Sequence, residues 1–380
     1  MLRLVLSGAT TLRRDGWSDA PVAIAAGRFA ENDAPNADLS GYRLLPGIVD
    51  LHGDGFERHV APRRGALRET RAGLFATEAE LAANGITTGV LAQFWSWEGG
   101  LRGPDFAEAL CADWAEMRSA VATDLRMQLR LETHMIDDYS RVARIAARHG
   151  IDYLVFNDHL QHDRLEEGRR PKQMTGQALK SGRSPDAHFE LMLGLHARGP
   201  EVAAASAALA SDLSSRGVTL GSHDDATAEE RAAWRARGAT IAEFPETRVA
   251  AEGARAGGDG IVLGAPNVVR GASHKGNVSA VDLVAAGLCD ALASDYHYPA
   301  PLAAVARIVS LGVLDWTAAW RLVSEGPARL LGLADRGCIA DGLRADLVIL
   351  DDDDRVAGTI AGGRVSYLRG DAAERLIAAR

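Results

Sequence analysis

Apolar and polar positions follow two rhythms along this chain. Short unbroken apolar runs, as expected of strands buried on both faces, recur at LPGIVDLH (45–52), GITTGVLAQF (85–94), LRMQLRLETH (125–134), IDYLVFNDH (151–159), GVTLGSHDD (217–225), ATIAEFP (239–245), GIVLGAP (260–266) and DALASDYH (290–297). Between most of them lie stretches with apolar residues at helical spacing, such as ATEAELAAN, FAEALCADWAEMRSAVA and EVAAASAALASDLSSR. Eight strands alternating with helices over roughly 250 residues predict an α/β fold of the (β/α)8 TIM-barrel type. A doubly wound open sheet is the runner-up. No GxGxxG follows the first run, which weighs against a dinucleotide-binding version.

The two ends of the chain have a different texture. Residues 1–45 contain the short runs LRLVLSGA, PVAIAAGRFA and YRLLP, and the C-terminal part contains ADLVILD, a DDDD turn and a hairpin-like pair around Gly362-Gly363. Neither end holds enough apolar surface for a domain of its own. They are expected to pair into one small β-domain, residues 1–45 plus 335–380, flanking a barrel of residues 46–334.

Composition narrows the function. The net charge of −9 argues against a large basic face for nucleic acid. Three cysteines, Cys111, Cys289 and Cys338, are far apart and form no CxxC, so a reduced cytoplasmic setting is expected. No signal-peptide core or membrane span is visible. Barrels of this kind often form homodimers, but no segment marks an interface.

Polar residues cluster where the apolar runs stop. His52 and Asp54 end the first run, Glu132 and His134 the third, Asp158 and His159 the fourth, and His223, Asp224 and Asp225 the fifth. Glu243 lies near the end of the sixth, and Asp295 and His297 end the eighth. Barrel enzymes keep their active sites at strand C-termini. One histidine there means little, but six strand ends with the same chemistry point to function. Carboxylates gathered at one mouth would raise one another's pKa, and a divalent cation removes that cost. Histidine with carboxylate suits zinc first, with manganese or iron as alternatives.

In these motifs the chain resembles the amidohydrolase superfamily, whose metal-dependent barrels carry a small β-domain built from both chain ends. GCIADGLRADLVILD (337–351) is similar to that superfamily's closing segment. Its commonest opening motif is His-x-His, whereas this chain has His-x-Asp. Many members bridge two metals with a carboxylated lysine. None of the three lysines here, Lys172, Lys180 and Lys275, lies in a candidate strand, so Glu132 is the natural replacement.

One branch resembles the chain more closely, the ribose methylphosphonate triphosphate diphosphatases of the carbon–phosphorus lyase pathway. The segments that carry the resemblance are LPGIVDLHGDGFERHVAPR (45–63), NGITT (84–88), SHDDAT (222–227), IAEFP (241–245), GAPNVVRGASHKGNVSA (264–280) and ASDYHYPAPL (293–302). Three places depart from the family pattern: GVLAQFWSWEGG after NGITT, LQHDRLEEGRR after the fourth-strand Asp-His, and the extra His297. All fall in loops that would meet substrate.

The resemblance implies a hydrolase that releases pyrophosphate from the triphosphate of ribose 1-methylphosphonate 5-triphosphate. It implies one or two divalent metals per chain, held by His52, Asp54, Glu132, His159, His223 and Asp295, with Asp295 also the general base. The small phosphorylated substrate would be met by Arg270, Ser273, His274, Lys275 and Asn277 after the seventh strand, where barrels frequently bind phosphate, and by Arg58 after the first. The two later histidines fall on strands four and five, where the superfamily more often uses five and six. Two alternatives stay open: the same metal barrel hydrolysing an amide or amine, and a barrel that only binds a ligand.

Other patterns read as structure. Trp95, Trp97, Trp114, Trp234, Trp316 and Trp320 suit core or helix packing. Asp351 to Asp354 suits a solvated turn. There is no GxSxG elbow, P-loop or cysteine-nucleophile signature.

Overall fold

The long apolar runs become strands because every position in them is sequestered from water. All six residues of β1 (Ile48–Gly53), all ten of β2 (Ile86–Trp95) and all five of β4 (Tyr153–Asn157) are buried. The others are β3 (Asp124–Glu132), β5 (Thr219–His223), β6 (Ile241–Glu243), β7 (Gly260–Gly264) and β8 (Ala291–Ala293). The computed structural model describes residues 1–31, 33–63, 69–172, 174–271 and 278–379. The eight strands form one sheet in chain order, and β8 returns to β1 through a parallel bridge between Gly53 and Asp295. This is a (β/α)8 barrel, matching all eight apolar runs.

Two compact units are distinguishable. The first comprises Met1–Leu91, Glu116–Arg126 and Val262–Arg380; the second comprises Ala92–Ala115 and Met127–Ile261.

In the first unit, strands from both chain ends share a six-stranded sheet. Its order is Arg364–Leu368, Val356–Ala361, Leu347–Leu350, Arg43–Pro46, Thr10–Arg13 and Gly16–Ser18. A four-stranded sheet (Arg28–Phe29, Val22–Ala25, Leu4–Ser7, Asn36–Asp38) lies in the same unit. Leu4, Leu6, Ile24, Leu44, Leu347, Ile349 and Ile360 meet in one buried cluster, so the two ends share a core that neither could build alone. The C-terminal hairpin turns at Gly362 and Gly363 with φ 55° and 68°, as a two-residue turn of the I′ type requires.

In the second unit, β3 to β6 run parallel, with Glu132 opposite Asn157 and His223 opposite Glu243. The segment between β4 and β5, in which LQHDRLEEGRR was expected to be a loop, holds α1 (His162–Glu166), α2 (Met174–Ser181), α3 (Pro185–Ala197) and α4 (Gly199–Ser215). Leu160, Leu165, Met174 and Met192 from this insertion pack with Trp97. After β5 the SHDDAT motif runs into a capping box, in which the Thr227 side chain accepts from the Glu230 N–H. Asp225 is drawn inward to the fully buried Arg231, whose guanidinium also meets Asp259. That pairing makes Asp225 a brace for the loop.

Among the described residues no helix is long and apolar enough to cross a membrane.

Candidate metal centre

Of the six predicted ligands, three fall in each unit. In the first unit His52, Asp54 and Asp295 are linked through the main chain. Asp295 donates its N–H to the His52 carbonyl at 3.0 Å, and Asp54 donates its N–H to the Asp295 carbonyl at 2.9 Å. Beneath them, the buried Asp50 carboxylate accepts the Ser294 N–H at 2.9 Å and its hydroxyl at 2.5 Å. Burial pushes the Asp50 carboxyl upward, against the bonds from Ser294.

The local sequence explains this geometry. A Cβ at Gly53 would lie 2.7 Å from the Tyr298 ring and 2.9 Å from both Asp50 Oδ2 and Ser294 Oγ, so the HGDG turn needs glycine there. A register shift between β1 and β2 after Asp50 inserts an extra residue on β1, a bulge that re-aims the strand end carrying His52. Asp295 itself sits at φ 56°, a left-handed conformation that Asp and Asn tolerate better than most residues. His52 is fully buried.

In the second unit Glu132, His159 and His223 gather by side-chain bonds. Glu132 is fully buried; it accepts from Trp97 Nε1 at 3.1 Å, from the Asn157 amide and from the His159 N–H at 3.0 Å. Its Oε1 lies 2.8 Å from His159 Nδ1, which also faces Glu98 at 3.3 Å. Arg130 sits between the two histidines. Its guanidinium donates to Asn157 Oδ1 at 2.9 Å, to His159 Nε2 at 3.3 Å and to His223 Nδ1 at 3.1 Å. Arginine can only donate, so both imidazoles turn an acceptor nitrogen toward one cationic point. Burial alone would raise Glu98, but hydrogen bonds and charge from His159 and Arg102 outweigh it and take its carboxyl down to about 2.

This arrangement tests the fit of a divalent metal. The nitrogens that His159 and His223 turn this way are taken up by the Arg130 guanidinium; His223 and Glu243, opposite each other on β5 and β6, each offer a ligand atom within 4.8 Å, an imidazole and carboxylate pair that zinc, manganese and iron accept. His159 follows β4 and His223 ends β5, so the strand assignment read from the sequence stands.

The remaining predicted residues are placed as follows. Arg58 pairs with Glu80 and donates to the Tyr296 carbonyl at 2.9 Å, fastening the loop after β8. Arg270 is exposed at the end of a short helix, Ala265–Arg270, where a loop was expected; Gly264 opens that helix and Gly271, at φ 77°, closes it. Ser273, His274, Lys275 and Asn277 lie outside the described residues.

Sequence reading missed Arg130, Asn157, Trp97 and Glu98. Strand period carried a signal for the first, because Arg130 shares a face with Glu132. Trp97 combines core packing with a bond to Glu132. Glu243, also buried, is held by Gln128 Nε2 at 2.7 Å and by the Tyr153 hydroxyl at 2.5 Å.

No family model matches the chain. The alpha-D-ribose 1-methylphosphonate 5-triphosphate diphosphatase of Escherichia coli (strain K12) is 33% identical over 331 residues, 84% of this chain and 87% of that protein. The chain belongs to this diphosphatase family of the amidohydrolase superfamily. An adenine deaminase of Methylobacterium sp. (strain 4-46) is 50% identical over 64 residues, which is 16% of this chain and 11% of that protein. Among solved structures, N-acetyl-D-glucosamine-6-phosphate deacetylase from Mycobacterium smegmatis superposes with a TM-score of 0.62 at 18% identity, covering 95% of this chain and 99% of that one. That likeness shows the barrel fold. The family is one of hydrolases, and this chain's own candidate ligands stand at the strand ends described above. One departure from the family pattern touches these ligands directly: Trp97 and Glu98 both come from the segment after NGITT, and both contact the Glu132–His159 pair.

Proposed function

We propose that this protein hydrolyses the triphosphate of ribose 1-methylphosphonate 5-triphosphate, or of a close phosphorylated sugar, releasing pyrophosphate. The observation that carries this reading is the similarity to the Escherichia coli diphosphatase along 84% of the chain. The fold supports it, because strand C-termini of a (β/α)8 barrel line the active site. On this reading His52, Asp54, Glu132, His159, His223 and Asp295 hold one or two divalent ions, zinc first.

A divalent cation bound there supplies an acidified water and a charge that polarises the phosphoryl oxygen. Asp295 takes the proton from the attacking water, held at the strand end by its main-chain bonds to His52 and Asp54. Glu132 and Glu98 favour a proton on His159 Nδ1. Arg130, which stands against His159 Nε2 and His223 Nδ1, would release His159 Nε2 for that nitrogen to bind an ion. Arg270, Ser273, His274, Lys275, Asn277 and Arg58 receive the outer phosphates.

One observation favours a second reading, hydrolysis of an amine or amide: the 64-residue match to adenine deaminase. Pyrophosphate and ammonia release, measured with a ribose triphosphate and with adenine, separate the two. Pyrophosphate release that Asp295→Asn abolishes supports the diphosphatase. Ammonia release without pyrophosphate overturns it.

A further inference from the structure

Beyond the strand ends of the second unit lies another group of ligating side chains. His134 stands two residues past Glu132, Asp158 directly follows β4, His162 opens α1 and His196 lies near the end of α3. Asp158 is fixed by the Leu160 N–H, which donates to Oδ1 at 3.0 Å. Its Oδ2 then faces two rings: His162 Nε2 at 3.0 Å and His134 Nδ1 at 3.5 Å. These separations straddle the edge of about 3.3 Å expected for a tetrahedral site with bonds of about 2.0 Å. One ligand atom each from His134, Asp158 and His162 falls within 4.8 Å of the others.

Two further observations point to a ligand. The His134 side chain is only 4% exposed. Its Nδ1 has only the Thr133 hydroxyl at 3.3 Å besides Asp158. A buried imidazole this poorly satisfied is unusual unless something completes it. His162, in turn, already has the outer support that metal-binding histidines use. Its Nδ1 lies 2.8 Å from His196 Nδ1, which fixes the ring and leaves Nε2 for the site. The rings of His134, His162 and His196 follow one another at 4.9 and 5.1 Å between centroids. Asp158 and His162 are 36% and 38% exposed, which gives an ion a path from solvent.

We propose that His134, Asp158 and His162 form a second binding site for a divalent ion of the zinc class, separate from the six strand-end residues, with His196 as its outer support. The ion ties α1, and with it the insertion between β4 and β5, to the ends of β3 and β4. Two imidazoles, one carboxylate and a water make a four-coordinate set that zinc accepts. The inference does not depend on which bond the enzyme cleaves.

The test is a metal count on the full chain, stripped with chelator and titrated with Co2+ alone. Elemental analysis and the visible absorption of low-coordinate Co2+ give the readout. The wild-type chain is expected to hold one equivalent more than His162→Ala, and Asp295→Asn to retain that equivalent. His162→Gln, which keeps a polar side chain of similar reach, gives the same count if the alanine variant does not fold. Equal counts in the wild-type chain and the folded His162 variant overturn the site. Missing hydrolysis with the one-equivalent difference intact overturns only the diphosphatase reading.

Discussion

The two trios of candidate ligands are built on different principles. His52, Asp54 and Asp295 are registered by main-chain bonds across the closure of β1 on β8. Glu132, His159 and His223 are registered by one another's side chains and by Arg130, Trp97 and Asn157. In the first trio a ligand can be exchanged while its position survives. In the second, each side chain is also part of the frame. The lesson is that loss of chemistry and loss of structure should separate in one trio and coincide in the other.

Four experiments can break that contrast. Asp295→Asn should cut turnover by about 10²–10⁴-fold, the usual worth of a positioned general base. Its thermal midpoint should not move, because Asn tolerates the φ of 56° at that position. A large fall in the midpoint would show that the carboxylate, and not the main chain, holds the trio. Glu132→Ala should lower the unfolding free energy of the metal-free chain by about 3–5 kcal/mol, the typical loss when one partner of a buried charged group is removed. Urea titration reads it, and an unchanged midpoint would sink the idea of a side-chain frame.

Trp97→Phe keeps the packing but removes the N–H that reaches Glu132. A loss of about 10–100-fold in metal affinity is expected, the range for outer partners of a ligand. Competition with a chelator measures it, and an unaltered affinity would leave Trp97 a packing residue only. The smallest effect concerns Glu98, whose folded pKa of about 2 lies below the ordinary 4.5. Its stabilising contribution is therefore complete above pH 4.5 and disappears as pH falls toward 2. Thermal midpoints of the metal-free chain and of Glu98→Gln should differ at neutral pH and converge through that window. A constant offset would contradict the assignment.

How much of this was legible depended on where each residue stands. The eight barrel strands were readable because both of their faces are buried, which leaves continuous apolar runs such as ITTGVLAQFW. The six candidate ligands were readable because they stand where those runs stop. Arg130 was obscured by lying inside a run, where an arginine suggests a surface partner for Glu132. Trp97 was obscured because its apolar body predicts packing equally well. Between β4 and β5, α4 was legible in EVAAASAALASDLSSR, whereas α1 (HDRLE) and α2 (MTGQALKS) were hard to see because they are short, with too few turns to show a period. The brace formed by Asp225, Arg231 and Asp259 depends on contacts between residues far apart in the chain, and no local pattern encodes it.

The bridge between Gly53 and Asp295 also sets an order of events during synthesis. His52 leaves the ribosome more than two hundred residues before Asp295, which at about 5–20 residues per second is a delay of roughly 12–50 s. Until then β1 has no neighbour on its closing edge and Asp50 has no Ser294 to meet. A growing chain therefore cannot assemble the first trio, and a ribosome-bound fragment should be hydrolytically silent however much of the second unit it has already folded.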